Sequence, residues 1–145
     1  MKNNILFTCL FALLNLAAFS QTQYETSADP KHPDVKVLKG IINKQILMSD
    51  TSFNWYASSQ KIYNPSDTSV VGPLQRNKNV SYIIFGGTWC EDNQFILPKF
   101  FKLQKKAGIS DSSITFFGVK REKQTIGNIA NAMKITNVPK INVIK

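Results

Sequence analysis

In this chain of 145 residues, Cys90 has a nucleophilic side chain in a sequence position that could support chemistry. Cys90 follows the apolar run from Val80 to Phe85 and the residues GGTW, and a stretch with helical periodicity comes directly after it. At the first turn of a helix, unpaired backbone N–H groups and the positive end of the helix dipole favour an anion. The thiolate is the nucleophilic form of cysteine, so this position predicts a reactive sulfur.

Two carboxylates in the same turn act against this effect. Glu91 and Asp92 satisfy the helix dipole themselves and disfavour a further negative charge, so we expect less activation of Cys90 than its position alone would give. Asp92 has two interpretations. It is either a proton acceptor beside the thiol or a solvated carboxylate that stabilises the first turn.

The elements that must position Cys90 alternate between strands and helices. Short runs rich in β-branched and aromatic residues predict buried strands, and apolar residues at a spacing of three and four predict helices. Alternation of this kind predicts an α/β layered fold with right-handed crossovers. The predicted elements are strand Val80–Phe85, helix Glu91–Ala107 closed by Gly108, strand Ile114–Val119, helix Thr125–Lys134 and strand Lys140–Ile144.

Before these elements, the pattern predicts a helical extension. One amphipathic helix is expected from an N-cap near Asp34 through Ile46, and a second from Ser49 or Asp50 to the break at Asn64. The stretch 66–79 is ambiguous because Gly72 and Pro73 interrupt it.

The N-terminal residues predict export. MKNN is followed by an apolar run that is shorter than a membrane span and ends in small residues, which is typical of a secretory signal cleaved after Ser20; a retained anchor is the alternative. Residues 21–33 are polar and predict a flexible leader with a solvated His32, and residues 34–145 form the domain. Cleavage would remove Cys9, so Cys90 would stand unpaired in a periplasmic or extracellular compartment.

The composition excludes several classes of protein. With 43% apolar residues the chain can form a core, and two cysteines with one histidine are too few for a closed four-ligand metal site. We therefore expect no metal and no cofactor. The net charge of +9 does not predict nucleic-acid binding, because the lysines are dispersed and have no motif around them.

The residues around Cys90 resemble the thioredoxin-like superfamily. In that family a Trp precedes the first cysteine of a WCxxC motif, a proline lies in the same helix, and a cis-proline loop faces the site. Trp89, Cys90 and Pro98 match the first three positions, and Val138-Pro139 matches the loop. The resemblance covers 80–145 and implies that Trp89, Val138 and Pro139 form a substrate groove beside a catalytic Cys90.

Two departures limit the resemblance. Asn93 stands where the family has its second, resolving cysteine, so an intramolecular disulfide cannot form. The family also continues after the cis-proline strand with a further strand and a final helix, whereas only INVIK follows Lys140. The expected fold is thus a thioredoxin-like fold with an N-terminal helical extension that lacks the last strand and helix, from a truncated chain or one that a partner completes.

The sequence leaves three functions open. The leading one is exported thiol-disulfide exchange through Cys90 as a lone nucleophile, with a thiol- or disulfide-containing protein or a small thiol as partner. The second is a non-catalytic thioredoxin-fold binding module or an inactive homologue, which would hold a peptide against the cis-proline loop. The third is a homodimer linked through Cys90.

Overall fold

The computed structural model describes residues 23–65, 68–77 and 79–145, so the predicted signal and Cys9 lie outside the described residues. The strands are β1 Tyr24–Ala28, β2 Lys36–Ile42, β3 Ser81–Gly86, β4 Ile114–Gly118 and β5 Lys140–Ile144. The α-helices are α1 Lys44–Ser49, α2 Asn54–Lys61, α3 Thr68–Arg76, α4 Glu91–Ala107 and α5 Ile129–Ala132. Short 3₁₀ turns cover Thr51–Phe53 and Asp111–Ser113.

The strands form one mixed sheet in the order β1-β2-β4-β3-β5. β3 and β4 are parallel, and the other pairs are antiparallel. Gly86 lies opposite Gly118, and Phe85 lies opposite Lys140. The carboxyl ends of β3 and β4 therefore lie at the same end of the sheet as the start of β5. The segments that flank these strand ends converge there. The predicted α/β class is confirmed.

Both faces of the sheet carry apolar residues. Neighbouring residues of a strand point to opposite faces, so Ile84 and Phe85 lie on different sides of the sheet. On one face Ile84 belongs to a core cluster with Leu97 and Phe101 of α4, and the aromatic rings of Tyr56 and Phe101 lie 6.4 Å apart. On the other face Phe85 stacks on Phe117 at 5.2 Å, in a cluster with residues of the α5 region. The long helix α4 is thus fixed to the sheet, and its first residue follows Cys90.

The helix predicted from Asp34 to Ile46 is wrong. The structure has strand β2 over most of that range, and the nearest helix, α1, begins at Lys44. Buried Leu38, Gly40 and Ile42 alternate with partly exposed residues, which is a strand period. β2 pairs with β1 on one side and β4 on the other, so sheet pairing outweighs an apolar spacing that fits both structures.

Two further predictions need correction. The flexible leader is wrong for the residues described, because Tyr24–Ala28 forms β1 and Asp29 is buried, although His32 is exposed as expected. The extension before 80 consequently begins with a β-hairpin and is helical only after it. The helix predicted over Thr125–Lys134 is reduced to Ile129–Ala132.

Other elements agree with the sequence prediction. Helix α4 has the predicted bounds, and Gly108 closes it with a left-handed φ of 68°. Asp50 caps the turn that precedes α2, since its carboxylate accepts a hydrogen bond from the Ser52 amide. Strands β3, β4 and β5 fall where they were predicted, to within one residue at each end.

The hydrogen bonds of Asp50 predict a pH-dependent stability. Lys36 donates to the Asp50 carboxylate at 2.6 Å, and this bond with those from Ser52 lowers the pKa of Asp50 from 3.8 to about 2. Because the folded pKa lies below the ordinary value, the stabilisation is complete above pH 3.8 and is lost as the pH falls toward 2. The melting-temperature difference between wild type and Asp50→Asn should therefore shrink over that range in thermal melts. Exposed Asp34→Asn is the control, and a constant difference for Asp50→Asn would contradict the prediction.

At Gly118, strands β2 and β4 approach too closely to leave room for a side chain. A Cβ added there would lie 2.5 Å from the carbonyl oxygen of Leu38, which is backbone and cannot rotate away. We expect Gly118→Ala to lower the free energy of unfolding by about 1–3 kcal/mol in urea denaturation. The matched control is Gly72→Ala in α3, where the nearest atom is the mobile end of Arg76 at 3.3 Å and an alanine should be neutral or slightly stabilising. Equal effects at both positions would refute the packing argument.

Candidate functional site around Cys90

A tight turn carries the chain from β3 to Cys90 and into α4. The Cys90 amide donates to the carbonyl of Gly87 at 3.1 Å, and the Cys90 carbonyl accepts from the amide of Gln94 at 3.0 Å. Cys90 is the N-cap residue of α4, with extended backbone angles, and its side chain makes no capping hydrogen bond. The thiol is half-buried and free. Cys90 therefore has the placement at the helix start that the sequence predicted.

Thr88 fixes this turn to β2. Its buried hydroxyl donates to the carbonyl of Lys36 at 2.7 Å and accepts from the amide of Leu38 at 3.3 Å. The Thr88 carbonyl in turn accepts from the side-chain amide of Gln94 at 2.8 Å. The turn before Cys90 is thus held from the strand and from the helix.

Trp89 lies on the other side of the turn. Its indole N–H donates to the carbonyl of Val119 at 2.8 Å, just beyond the end of β4. A Cβ on Gly87 would lie 2.5 Å from the indole nitrogen, so only glycine leaves room for the ring in this position. The half-buried indole thus covers the turn and has a packing role beside the groove role that the resemblance implies.

The loop before β5 reaches the same place. The peptide bond between Val138 and Pro139 is cis, as the resemblance implies. The Cys90 sulfur lies 3.9 Å from the Val138 carbonyl oxygen, at the distance of a weak S–H hydrogen bond. The structure therefore brings together Trp89, Cys90, Val138 and Pro139.

Asn93 lies beneath the turn and away from solvent. Its side chain is fully buried, and its amide oxygen accepts from the Gly87 amide at 3.1 Å. Among the described residues, the amide nitrogen of Asn93 has no hydrogen-bond partner. Asn93 thus supports the backbone just before Cys90, a role that its position in the sequence does not reveal.

A buried ion pair that the sequence does not predict lies next to the site. Arg121 donates from Nε to one oxygen of Asp29 at 2.6 Å and from Nη2 to the other at 2.5 Å. This pairing lowers the pKa of Asp29 and raises the pKa of Arg121, the hydrogen bonds being the largest cause of each shift. Asp29 lies in a polar stretch and Arg121 among dispersed basic residues, so neither carries a sequence signal.

An open cleft of about 530 Å³ adjoins the thiol. The β-hairpin loop contributes His32 and Val35 to the cleft, and the segment after β4 contributes Arg121. Glu91 and Asp92, both exposed in the first turn of α4, also line the cleft. The cleft therefore carries both acidic and basic residues, and its lining residues are His32, Val35, Trp89, Cys90, Glu91, Asp92, Gln94 and Arg121.

Two features are absent from the described residues. No helix in these ranges is long and apolar enough to cross a membrane. Nor does this part of the chain contain a group of three or more His, Cys, Asp or Glu residues arranged to hold a metal ion. In comparisons with known proteins, the chain matches no protein-family model, no curated protein and no solved structure.

Proposed function

We propose that this chain is an exported thioredoxin-like protein that carries out thiol-disulfide exchange through Cys90 as its single nucleophile. One observation carries the proposal: the half-buried thiol of Cys90, the N-cap residue of a 17-residue helix, lies beside the Val138 carbonyl and the cis peptide to Pro139. The neighbouring loop supplies a backbone surface for a partner beside this thiol.

The chemistry is a pair of displacements. The Cys90 thiolate attacks one sulfur of a partner disulfide, a new S–S bond forms to Cys90, the old S–S bond breaks, and the leaving thiolate takes a proton from water. Asn93 has no thiol with which to displace the bound partner. The mixed disulfide therefore persists until an external thiolate attacks it, which releases a new disulfide and returns the Cys90 thiolate. This cycle needs no cofactor.

The partner is a thiol- or disulfide-containing protein or a small thiol. Trp89 and the Val138-Pro139 loop would form the groove on either side of the reacting sulfur. Asp92 is exposed in the first turn of α4, which favours a solvated carboxylate over a proton acceptor among its two interpretations.

The local architecture supports the family assignment in this proposal. β3 leads into Trp89 and Cys90, α4 carries Pro98 within it, and the cis peptide precedes β5. β5 then pairs antiparallel with β3, which places the loop next to the thiol. These are the parts, in the same order, on which the resemblance rests.

Export is a separate part of the proposal, and it rests on residues 1–20 alone. The basic start, apolar run and small residues before Gln21 favour cleavage and release to a periplasm or the cell exterior. N-terminal sequencing of the protein from its native cells should give Gln21 as the first residue, and a chain that starts at Met1 would contradict export by this signal.

Turnover tests the exchange activity. With glutathione as external thiol and hydroxyethyl disulfide as substrate, we expect the protein to accelerate exchange above the rate without protein.

The fully buried Asn93 favours a second candidate, a non-catalytic thioredoxin-fold binding module, because it fills the resolving position without a thiol. No acceleration would favour that candidate and refute exchange as the function.

A further inference from the structure

The ion pair between Asp29 and Arg121 is the most buried charged contact next to the site. The Asp29 side chain has no exposed surface, and the Arg121 side chain is 22% exposed. The guanidinium meets both carboxylate oxygens in parallel hydrogen bonds, a geometry that fixes its plane as well as its position. The two residues join the end of β1 to the segment that follows β4.

Arg121 in turn contacts Trp89. The centre of its guanidinium lies 4.7 Å from the indole ring, and the Lys123 ammonium lies 5.4 Å from the same ring. Lys123 also donates to the Arg121 carbonyl at 2.8 Å. With the bond from the indole N–H to Val119, Trp89 is held at its edge and on its face, immediately before Cys90.

The same ion pair holds one wall of the cleft. The Asp29 amide donates to the Val35 carbonyl at 2.9 Å, and the Val35 amide donates to the His32 carbonyl at 2.8 Å. The loop 29–35 is therefore closed on itself, and the Asp29 carboxylate ties it to Arg121. His32 and Val35 of this loop line the cleft together with Cys90.

We propose that Asp29 and Arg121 are positioning residues for the Cys90 site, acting through Trp89 and through the loop 29–35. The inference rests on the function proposed above. The guanidinium stacked on the indole fixes the turn that presents the thiol, and the tethered loop shapes the cleft that a partner disulfide enters. Neither residue makes or breaks a bond in the exchange.

The test uses three measurements on the exported protein that begins at Gln21, in which Cys90 is the only cysteine and Trp55→Phe leaves Trp89 as the only tryptophan. They are acrylamide quenching of Trp89 fluorescence, the rate of Cys90 alkylation by iodoacetamide, and the rate of mixed-disulfide formation with glutathione disulfide. In Asp29→Asn and Arg121→Gln we expect quenching to rise at least about twofold and alkylation several-fold, because the indole and the loop 29–35 beside the thiol are no longer held in place. Mixed-disulfide formation should fall about tenfold, since misplacing a reacting group by about 1 Å can cost up to a hundredfold in rate.

If the two residues position the site, the alkylation rate rises while the rate of mixed-disulfide formation falls. General loosening of the fold would instead raise both rates. Arg121→Lys keeps a charge beside Asp29 but cannot form the paired hydrogen bonds. It should change the three measurements in the same directions, and it takes the place of Arg121→Gln if that variant does not fold. The matched control is Glu25→Gln, which breaks the exposed Glu25–Lys39 pair of the same β-hairpin at 3.1 Å and should change none of the three.

Unchanged quenching and alkylation in the Asp29 and Arg121 variants would overturn the inference, as would an equal effect of Glu25→Gln. If the wild type forms no mixed disulfide, the proposed function fails. Quenching and alkylation still test the positioning role in that case, because neither depends on exchange.

Discussion

Cys90→Ser should reduce the exchange of hydroxyethyl disulfide with glutathione to the rate measured without protein. Serine replaces sulfur by a hydroxyl, which is not ionised at neutral pH and does not attack a disulfide. No other cysteine is present in residues 21–145, so no second thiol can take over. The whole protein-dependent rate should disappear, which makes this the largest effect we expect.

The fold should tolerate this change. The Cys90 side chain is half-buried, and its contact with the Val138 carbonyl is one that a hydroxyl can also make. Thermal melts should therefore give similar midpoints for Cys90→Ser and wild type. Asp92→Asn is the companion variant, and as a solvated carboxylate it should change the rate by less than about twofold. Exchange by Cys90→Ser above the rate without protein would show that Cys90 is not the nucleophile.

Asn93→Cys should have the second largest effect, because it supplies the missing resolving thiol. Positions 90 and 93 are three residues apart at the start of α4. Cα atoms at this helical spacing lie about 5 Å apart, within the range of about 4.4–6.8 Å that a disulfide can span. The new thiolate would attack the sulfur of Cys90 in the mixed disulfide, form a bond to it and release the partner as a thiol. We expect the mixed disulfide with glutathione to accumulate at least tenfold less than in the wild type.

The measurement is intact mass after acid quenching, with protein and glutathione disulfide mixed for a fixed time. The variant should appear as an internal disulfide, two hydrogens lighter than its reduced form, whereas the wild type should carry one glutathione. Asn93→Ser is the matched control, since it also removes the acceptor of the Gly87 amide, at a cost of about 1–2 kcal/mol, but supplies no thiol. Equal adduct levels in Asn93→Cys and Asn93→Ser would contradict the resolving role of this position.

The elements around the site could be predicted because their signals are local. The apolar run of β3, the helical spacing of α4 and the glycine at its end each determine structure over a few residues. The pairing of Trp89 and Cys90 with Val138-Pro139 followed from the order of these elements and the resemblance. Together they predicted that residues 48 positions apart lie next to each other.

The N-terminal part could not be predicted in the same way. In 36–42 the apolar residues fit a helix and a strand equally, and the contacts with β1 and β4 decide between them. Asp29 is buried only because Arg121, 92 residues later, pairs with it. Burial that depends on a distant partner leaves no local pattern.

The most direct test of the central claim is the intact mass of wild-type protein after incubation with glutathione disulfide. We predict a single glutathione adduct, located at Cys90 by peptide mapping, that persists without added thiol and is lost when a reducing thiol is added. An unmodified protein under conditions in which iodoacetamide alkylates Cys90 would contradict the claim, because the thiol would then be accessible without exchanging with a disulfide.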